Sequence, residues 1–150
     1  MNLMKIVEFE PQMAEQIALI EKECFSEPWS AESILESYNF NTAFFAAIGD
    51  GGVLEGYIGV QNIAGEAFIT DLAVKKEYRR RGVGNALLQR AMEYCRASKL
   101  GKISLEVRKS NNAAVKLYSA VGFKTVGERK NFYSFPREDA LIMAAEIQSD

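Results

Sequence analysis

The sequence predicts an α+β (mixed α/β) fold, a central mixed sheet of about seven strands flanked by about four helices. Two observations support this fold. Short alternating or apolar segments bounded by turn residues indicate strands, and longer segments with apolar residues at helical spacing indicate helices. Their order is β-α-α-β-β-β-α-β-α-β-β. The chain has 150 residues, enough to bury a substantial core, and we expect residues 1–150 to form a single domain.

The first third of the chain predicts one strand and two helices. Leu3–Phe9 is the predicted strand. Apolar residues then recur at spacings of four, three and four, which places them on one helix face: Met13, Ile17, Ile20 and Cys24. Pro28 interrupts this helix, and Ser30 is a suitable N-cap for a second helix that extends to about Tyr38.

Three strands follow without an intervening helix. Ala43–Ile48 and Gly56–Ile63 flank the glycine-rich segment Gly49–Gly52, a pattern typical of a hairpin. Ala64–Gly65 forms the next turn and leads into Ala67–Val74. This region therefore predicts an antiparallel meander.

The second half alternates helices and strands. A helix follows the third of these strands, with its apolar positions on one face: Val83, Leu87, Leu88, Ala91, Tyr94 and Cys95. Lys102–Val107 alternates apolar and polar residues as a half-buried strand does. Asn111–Val121 predicts a helix ending at Gly122, a residue suited to the left-handed conformation after a helix.

Two strands complete the predicted sheet. They cover Phe123–Arg129 and Asp139–Glu146. The intervening Asn131–Pro136 is rich in aromatic and turn-forming residues, and we interpret it as a loop.

Composition excludes several classes of function. Apolar residues make up 48% of the chain and charged residues 25%, as in an ordinary globular protein. No apolar run reaches the roughly 20 residues needed to span a bilayer, and we expect no membrane partner. The first residues show no apolar stretch typical of a signal peptide. Cys24 and Cys95 fit small buried residues better than a disulfide, so we expect a cytoplasmic protein.

Charge and histidine content narrow the chemistry further. The formal net charge is −2, and we expect no nucleic-acid partner. The chain contains no histidine, which excludes Ser/His/Asp and Cys/His nucleophilic sites and removes the usual zinc ligand set. We therefore expect no metal, and acid–base chemistry must use Glu, Asp, Tyr, Lys or water.

The segment Arg79–Ala86 predicts a phosphate-binding site. It lies between a predicted strand and a predicted helix, where unpaired N–H groups and the positive end of the helix dipole favour an anion. Gly82 and Gly84 allow close approach of the backbone, and arginines bind phosphate oxygens. A P-loop would need Gly-Lys-Ser/Thr, and a dinucleotide motif would need glycine at Leu87. The alternative is a solvated basic loop.

Glu106 and Tyr118 are the candidate acid–base residues. Glu106 lies near the end of a predicted strand on the face opposite its apolar neighbours, where it is either a base or merely solvated. Tyr118 follows Asn111 by two helical turns, so both lie on one face. Tyr118 is either an acid for a leaving group or a core aromatic. Asn111 contacts a cofactor, caps the helix, or does both.

Several motifs carry a resemblance that spans nearly the whole chain. Arg79-x-x-Gly-x-Gly is similar to the coenzyme A pyrophosphate loop of the GCN5-related N-acetyltransferase (GNAT) superfamily. Leu-Glu-Val-Arg-x-Ser-Asn at 105–111 and Ala-Ala-x-x-Leu-Tyr-x-x-x-Gly-Phe at 113–123 closely resemble the bacterial ribosomal-protein-alanine N-acetyltransferases within it. So do Pro28–Ser30 and Glu138–Met143.

The resemblance implies the GNAT fold and a function. The ribosomal-protein-alanine N-acetyltransferases use acetyl-CoA to acetylate the N-terminal alanine of a small-subunit ribosomal protein, and the resemblance implies direct transfer in a ternary complex. By position, the family's base falls on Glu106 and its acid on Tyr118. The residues expected to contact the cofactor are Leu72, Ala73, Val74, Arg79, Arg80, Arg81, Gly82, Val83, Gly84, Asn85 and Asn111.

The acceptor side is predicted from aromatic residues. Trp29 and Tyr133 belong to the two aromatic-rich segments outside the core pattern, and we expect them to border the acceptor peptide. An α-amine acceptor has an ordinary pKa of about 7.7–8.0, far below that of lysine, so a lone carboxylate suffices to free it. Acetylation of lysine side chains or small amines, and a non-catalytic acyl-CoA-binding module, are the alternatives.

Overall fold

The computed structural model describes residues 4–148 and contains one seven-stranded sheet in the order β1-β2-β3-β4-β5-β7-β6. The strands are β1 Lys5–Glu8, β2 Thr42–Ile48, β3 Leu54–Ile63, β4 Glu66–Val74, β5 Lys102–Arg108, β6 Lys124–Ser134 and β7 Arg137–Glu146. The helices are α1 Ala14–Cys24, α2 Ala31–Phe40, α3 Val83–Ala97 and α4 Asn112–Val121. The predicted class and element order are confirmed. Leu3, the first residue of the predicted first strand, lies outside the described residues.

The helices cover both faces of the sheet. Strand β2 shows the division, because its side chains alternate between the two faces. Phe45 belongs to a core cluster with α3, and Phe44 belongs to a second cluster with α1 and α2. The central strands are therefore buried on both sides, whereas the edge strand β6 is mostly exposed. No helix within residues 4–148 is long and apolar enough to cross a membrane.

The predicted helix boundaries have local physical causes. Ser30 Oγ accepts a hydrogen bond of 3.1 Å from the backbone N–H of Ser33 and caps α2. Asn111 Oδ1 accepts one of 3.2 Å from Ala114 N and caps α4. At the other end of α4, Gly122 adopts a φ of 112°, which favours glycine. These predicted caps are confirmed.

Strands β4 and β5 separate soon after they meet. Their parallel pairing consists of Ala67 opposite Ile103 and Phe68 opposite Ser104. Beyond this point β4 stays paired with β3. A register shift in this pairing leaves Thr70 of β4 without a partner residue. Strand β5 stays paired with β7 along its whole length. A cleft therefore opens between the carboxyl ends of the two central strands.

The prediction of a loop at Asn131–Pro136 is wrong. Strand β6 continues to Ser134, and its last two residues pair with the start of β7. The register breaks between Arg129 and Tyr133, where Asn131 has a φ of 52°. The turn-forming residues of this segment accommodate the irregularity at Asn131. The cross-strand pairing after it continues the strand.

Gly56→Ala should destabilise the fold, because a Cβ on this residue of β3 would lie 2.6 Å from the carbonyl oxygen of Ala73. The neighbouring backbone of β4 must then move, at a cost of about 1–3 kcal/mol. Urea unfolding followed by circular dichroism measures the change. Gly101→Ala is the matched control, since its Cβ would meet no heavy atom within 4 Å. Equal stability of the two variants would contradict this account of the β3–β4 packing.

Candidate active site

A cavity of about 550 Å³ lies between the separated ends of β4 and β5. Its walls come from α1 and the segment after it, from β4, β5 and α4, and from the β6–β7 hairpin. The structure brings six of the predicted site residues to it: Trp29, Leu72, Glu106, Asn111, Tyr118 and Tyr133. The cleft thus joins residues that are more than 100 positions apart in the chain.

Glu106 lies in this cavity beside the guanidinium of Arg129. Its side chain is 16% exposed, on the face of β5 opposite the buried Leu105 and Val107. Arg129 Nε of β6 lies 2.8 Å from Glu106 Oε2, yet its N–H is not directed at that oxygen, which is buried without a hydrogen bond. The contact keeps a cation beside the carboxylate and leaves capacity for a proton.

Tyr118 combines a buried ring with a free hydroxyl. The residue is 6% exposed, and its ring packs 5.5 Å from that of Phe123. Its hydroxyl forms no hydrogen bond with any of residues 4–148. Burial raises the pKa of Tyr118 above its ordinary value, and the nearby Asp71 and Tyr133 raise it further. The phenol therefore keeps its proton at neutral pH and can donate it into the cavity.

A buried acidic cluster forms the wall beside Tyr118. The Tyr57 hydroxyl of β3 donates a hydrogen bond to Oε2 of Glu21, a residue of α1 that is completely buried. Asp71 Oδ2 of β4 lies 3.4 Å from the same hydroxyl. Burial and the neighbouring Glu21 raise the pKa of Asp71 to about 9. Asp71 therefore keeps its proton at neutral pH, because a second charge buried beside Glu21 is costly.

This cluster also fixes the acceptor-side segment. Glu21 Oε1 accepts a hydrogen bond of 2.9 Å from the backbone N–H of Trp29, so the segment after α1 is tied to the cavity wall. Sequence reasoning missed Glu21 and gave Asp71 no role of its own. The available signal was a carboxylate four residues after Ile17, on a helix face that is otherwise apolar.

The start of α3 has the features predicted for a phosphate site. Arg80 and Gly82 have positive φ values of 64° and 80°. The first hydrogen bond of the helix runs from Ala86 N to Gly82 O. Three N–H groups therefore lack an acceptor inside the helix: those of Val83, Gly84 and Asn85. A Cβ on Gly84 would lie 3.3 Å from Leu117 Cδ2, so glycine lets this end of α3 approach α4 closely.

The predicted arginines divide between two environments. Arg79 Nε donates to the carbonyl oxygen of Val74 at 3.0 Å, and its Nη2 lies 3.4 Å from Cys24 Sγ. Its guanidinium therefore binds the last backbone carbonyl of β4. Arg80 and Arg81 are exposed, and Arg81 lies 5.7 Å from the Tyr78 ring centroid. These two are free to meet an anion.

Some of the predicted site residues do not direct their side chains into the cavity. The side chains of Ala73 and Val83 are buried in the two cores, so both present only backbone to the cleft side. Cys95 is buried as expected, whereas Cys24 is half-buried and lines the cavity. Both cysteines are free thiols. Within residues 4–148 no three His, Cys, Asp or Glu side chains are grouped to hold a metal ion.

Comparison with known proteins places the chain in a family. The Acetyltransferase (GNAT) family matches residues 14–123. The chain belongs to the GNAT family. It is therefore an acetyl-CoA-dependent N-acetyltransferase, and the predicted resemblance is confirmed.

Within the GNAT family, the chain is similar to proteins named as ribosomal-protein-alanine N-acetyltransferases. A Bacillus subtilis strain 168 protein, provisionally named ribosomal protein bS18-alanine N-acetyltransferase, is 39% identical over 129 residues, which cover 85% of each chain. The Escherichia coli K12 enzyme of that name is 32% identical over 85% of this chain and 87% of its own. The crystal structure of the Escherichia coli ribosomal-protein-S18-alanine N-acetyltransferase superposes with a TM-score of 0.89 and 30% identity, covering 100% of this chain and 96% of that one.

Asp71→Asn should make stability less sensitive to alkaline pH. Folding raises the pKa of Asp71 from 3.8 to about 9, so its contribution to stability is complete below about pH 4 and is lost as the pH rises through 9. Asparagine supplies the hydrogen-bond donor of protonated Asp71 at every pH. Between pH 6 and 9, we expect the wild type to lose at least about 1.4 kcal/mol more than the variant, or about 3–5 °C in Tm.

Thermal denaturation at both pH values measures this difference. Asp50→Asn, in the exposed turn between β2 and β3, makes the same chemical change at the surface and serves as the control. If wild type, Asp71→Asn and Asp50→Asn all lose the same Tm between pH 6 and 9, the buried proton assigned to Asp71 is refuted.

Proposed function

We propose that this GNAT enzyme transfers the acetyl group of acetyl-CoA to the N-terminal α-amine of a protein, and that its acceptor is the N-terminal alanine of ribosomal protein bS18. The observation that carries the proposal is the joint presence of Glu106 and Tyr118 in one cavity at the β4–β5 cleft. A proton acceptor and a proton donor that face the same space are what acyl transfer to an ammonium requires. The names of the relatives support the choice of acceptor.

The donor binds along the β4 side of the cleft in this proposal. The open edge of β4 at Leu72–Val74 offers backbone groups to the pantetheine arm, because β5 no longer pairs with it. The N-terminus of α3, with Arg80 and Arg81 beside it, holds the pyrophosphate. Asn111 contacts the donor from the start of α4 while it caps that helix.

The proton steps follow from the two candidate residues. Glu106 removes a proton from the acceptor ammonium, directly or through a water, and the free amine attacks the thioester carbonyl. Since the pKa of an α-amine is about 7.7–8.0, freeing it at pH 7 costs about 1 kcal/mol, against nearly 5 kcal/mol for a lysine amine. The C–S bond then breaks, Tyr118 gives its proton to the departing thiolate, and the second proton of the former amine nitrogen returns to the Tyr118 phenolate as the amide forms. No acyl-enzyme forms, so neither cysteine is needed.

The acceptor peptide enters opposite the donor. Trp29 and Tyr133 border this entrance from the segment after α1 and from the hairpin. Glu27 lies on the same segment and carries a charge suited to a basic peptide. We place the whole reaction within a single domain of residues 1–150 and, since the acceptor is a ribosomal protein, in the cytoplasm.

A panel of three peptides tests the acceptor class. We expect CoA release with acetyl-CoA and a bS18 N-terminal peptide that begins with alanine, and none with the same peptide acetylated at its N-terminus. A third peptide has a blocked N-terminus and an internal lysine, and it should also be inert. Turnover with this third peptide would move the assignment to lysine acetylation. Binding of acetyl-CoA by calorimetry without turnover of any of the three peptides would overturn the proposed acceptor and point to a different acceptor or to a binding-only role.

Glu106→Gln and Tyr118→Phe should each lower kcat by about 100-fold or more, the usual contribution of a general base or acid. Steady-state CoA release measures the rates, and calorimetry should find acetyl-CoA affinity within about twofold of wild type. Tyr118→Phe removes a hydroxyl that has no partner within residues 4–148, so its Tm should stay near that of wild type. Wild-type turnover by either variant would remove that residue from the mechanism.

A further inference from the structure

Arg108, the last residue of β5, is bound to the β6–β7 hairpin at several points. Its Nη1 donates to the carbonyl oxygen of Pro136 at 2.8 Å, and its Nη2 donates to that of Phe135 at 3.0 Å. The same guanidinium lies 3.4 Å from Glu138 Oε1. It also stacks over the Tyr133 ring, with its Cζ 4.3 Å from the ring centroid. One side chain thus holds both carbonyls of the turn and the aromatic ring before it.

The hairpin held by Arg108 forms the acceptor-side wall of the cavity. Phe132, Tyr133, Phe135 and Pro136 all line the cavity, yet Phe132 is 47% and Phe135 66% exposed. Such exposed aromatic residues have little core packing to fix them. Their placement therefore depends on hydrogen bonds at the turn, and Arg108 makes two of these.

Glu138 completes the attachment and is not available to a substrate. Its Oε2 accepts a hydrogen bond of 2.6 Å from Ser110 N, and its Oε1 faces Arg108. These two contacts hold the pKa of Glu138 below its usual range. The carboxylate thus helps to keep the guanidinium in place, through the same Nη1 that donates to the Pro136 carbonyl.

We propose that Arg108 is a positioning residue that sets the affinity for the acceptor peptide by fixing the Phe132–Pro136 wall relative to Glu106. The inference rests on the proposed function, since it assigns this wall to the acceptor. Glu106 lies two residues earlier on the same strand. Its backbone is held by the β5–β7 ladder, opposite Ile142, and its side chain contacts Arg129, which precedes the register break in β6 and so lies outside the Phe132–Pro136 wall. Loss of Arg108 therefore loosens the wall without moving the base.

Lysine cannot replace this arginine. The planar guanidinium reaches two carbonyl oxygens at once and stacks on the Tyr133 ring, whereas an ammonium is a compact charge that cannot do all three. Arg108→Lys consequently keeps the charge near Glu138 and removes the geometry. This makes it the informative substitution.

Arg108→Lys should raise the KM for the acceptor peptide by about 10-fold or more, because the wall contributes binding that is lost before the chemical step. We expect kcat within about threefold of wild type and an unchanged KM for acetyl-CoA. A merely structural role would lower Tm without this separation between the two KM values. Lys109→Gln is the matched control. Lys109 is the residue next to Arg108 in the chain, and its substitution breaks a 2.8 Å ion pair with Glu128 but changes no residue that lines the cavity.

Hydrogen–deuterium exchange tests the same idea without any turnover. Amides of residues 132–137 should exchange faster in Arg108→Lys than in wild type and Lys109→Gln, while those of α3 stay unchanged. Unchanged exchange at the hairpin, or an unchanged acceptor KM in an active enzyme, would overturn the role of Arg108. If wild type turns over no peptide with a free N-terminus, the acceptor assignment fails, and the exchange experiment still decides whether Arg108 fixes the wall.

Discussion

The early end of the pairing between β4 and β5 is the constraint on which the rest of the site depends. After Phe68 and Ser104 the two strands belong to different halves of the sheet, since β4 stays with β3 and β5 with β7. The facing edges are left with backbone groups that have no strand partner, and buried backbone groups require one. The cleft is therefore a place where an extended ligand can act as the missing strand. The same separation brings Glu106, on one edge, opposite the Asp71 wall on the other.

The sequence predicts most of this fold because most elements carry their own local signals. Ser30, Asn111 and Gly122 mark helix ends through chemistry that acts within a few residues, and each functions as expected. The hairpin at Asn131–Pro136 lacks such a signal. Its strand character arises from pairing with β7 beyond an irregularity at Asn131, and local composition there favours a loop. Tertiary pairing overrode local preference at this point.

The candidate site divides in the same way. Strand alternation and helical spacing, which are local patterns, place Glu106 and Tyr118, and the resemblance to the GNAT family supplies the roles proposed for them. The carboxyl cluster could not be anticipated, since Glu21 and Tyr57 are 36 residues apart in the chain and meet only through the packing of α1 on β3. Arg108 stood inside a motif that was identified, but its contacts with the hairpin cross 27 and 28 residues. The sequence thus indicates the residues proposed to react, and the structure adds the residues that contact and support their surroundings.

The buried acidic wall helps to explain how one small cavity can serve the proposed acid, Tyr118, and the proposed base, Glu106, without a histidine. Burial of Tyr118, and next the neighbouring Asp71, raise the pKa of Tyr118, so the phenol keeps its proton at neutral pH, where part of an α-amine is already free. Glu106 lies across the cavity beside the cation of Arg129, in a different electrostatic environment. Burial also makes an unprotonated thiolate costly inside the cleft, so the chemistry needs the proton that Tyr118 retains. The feature that keeps Tyr118 protonated is therefore the one that makes its proton necessary.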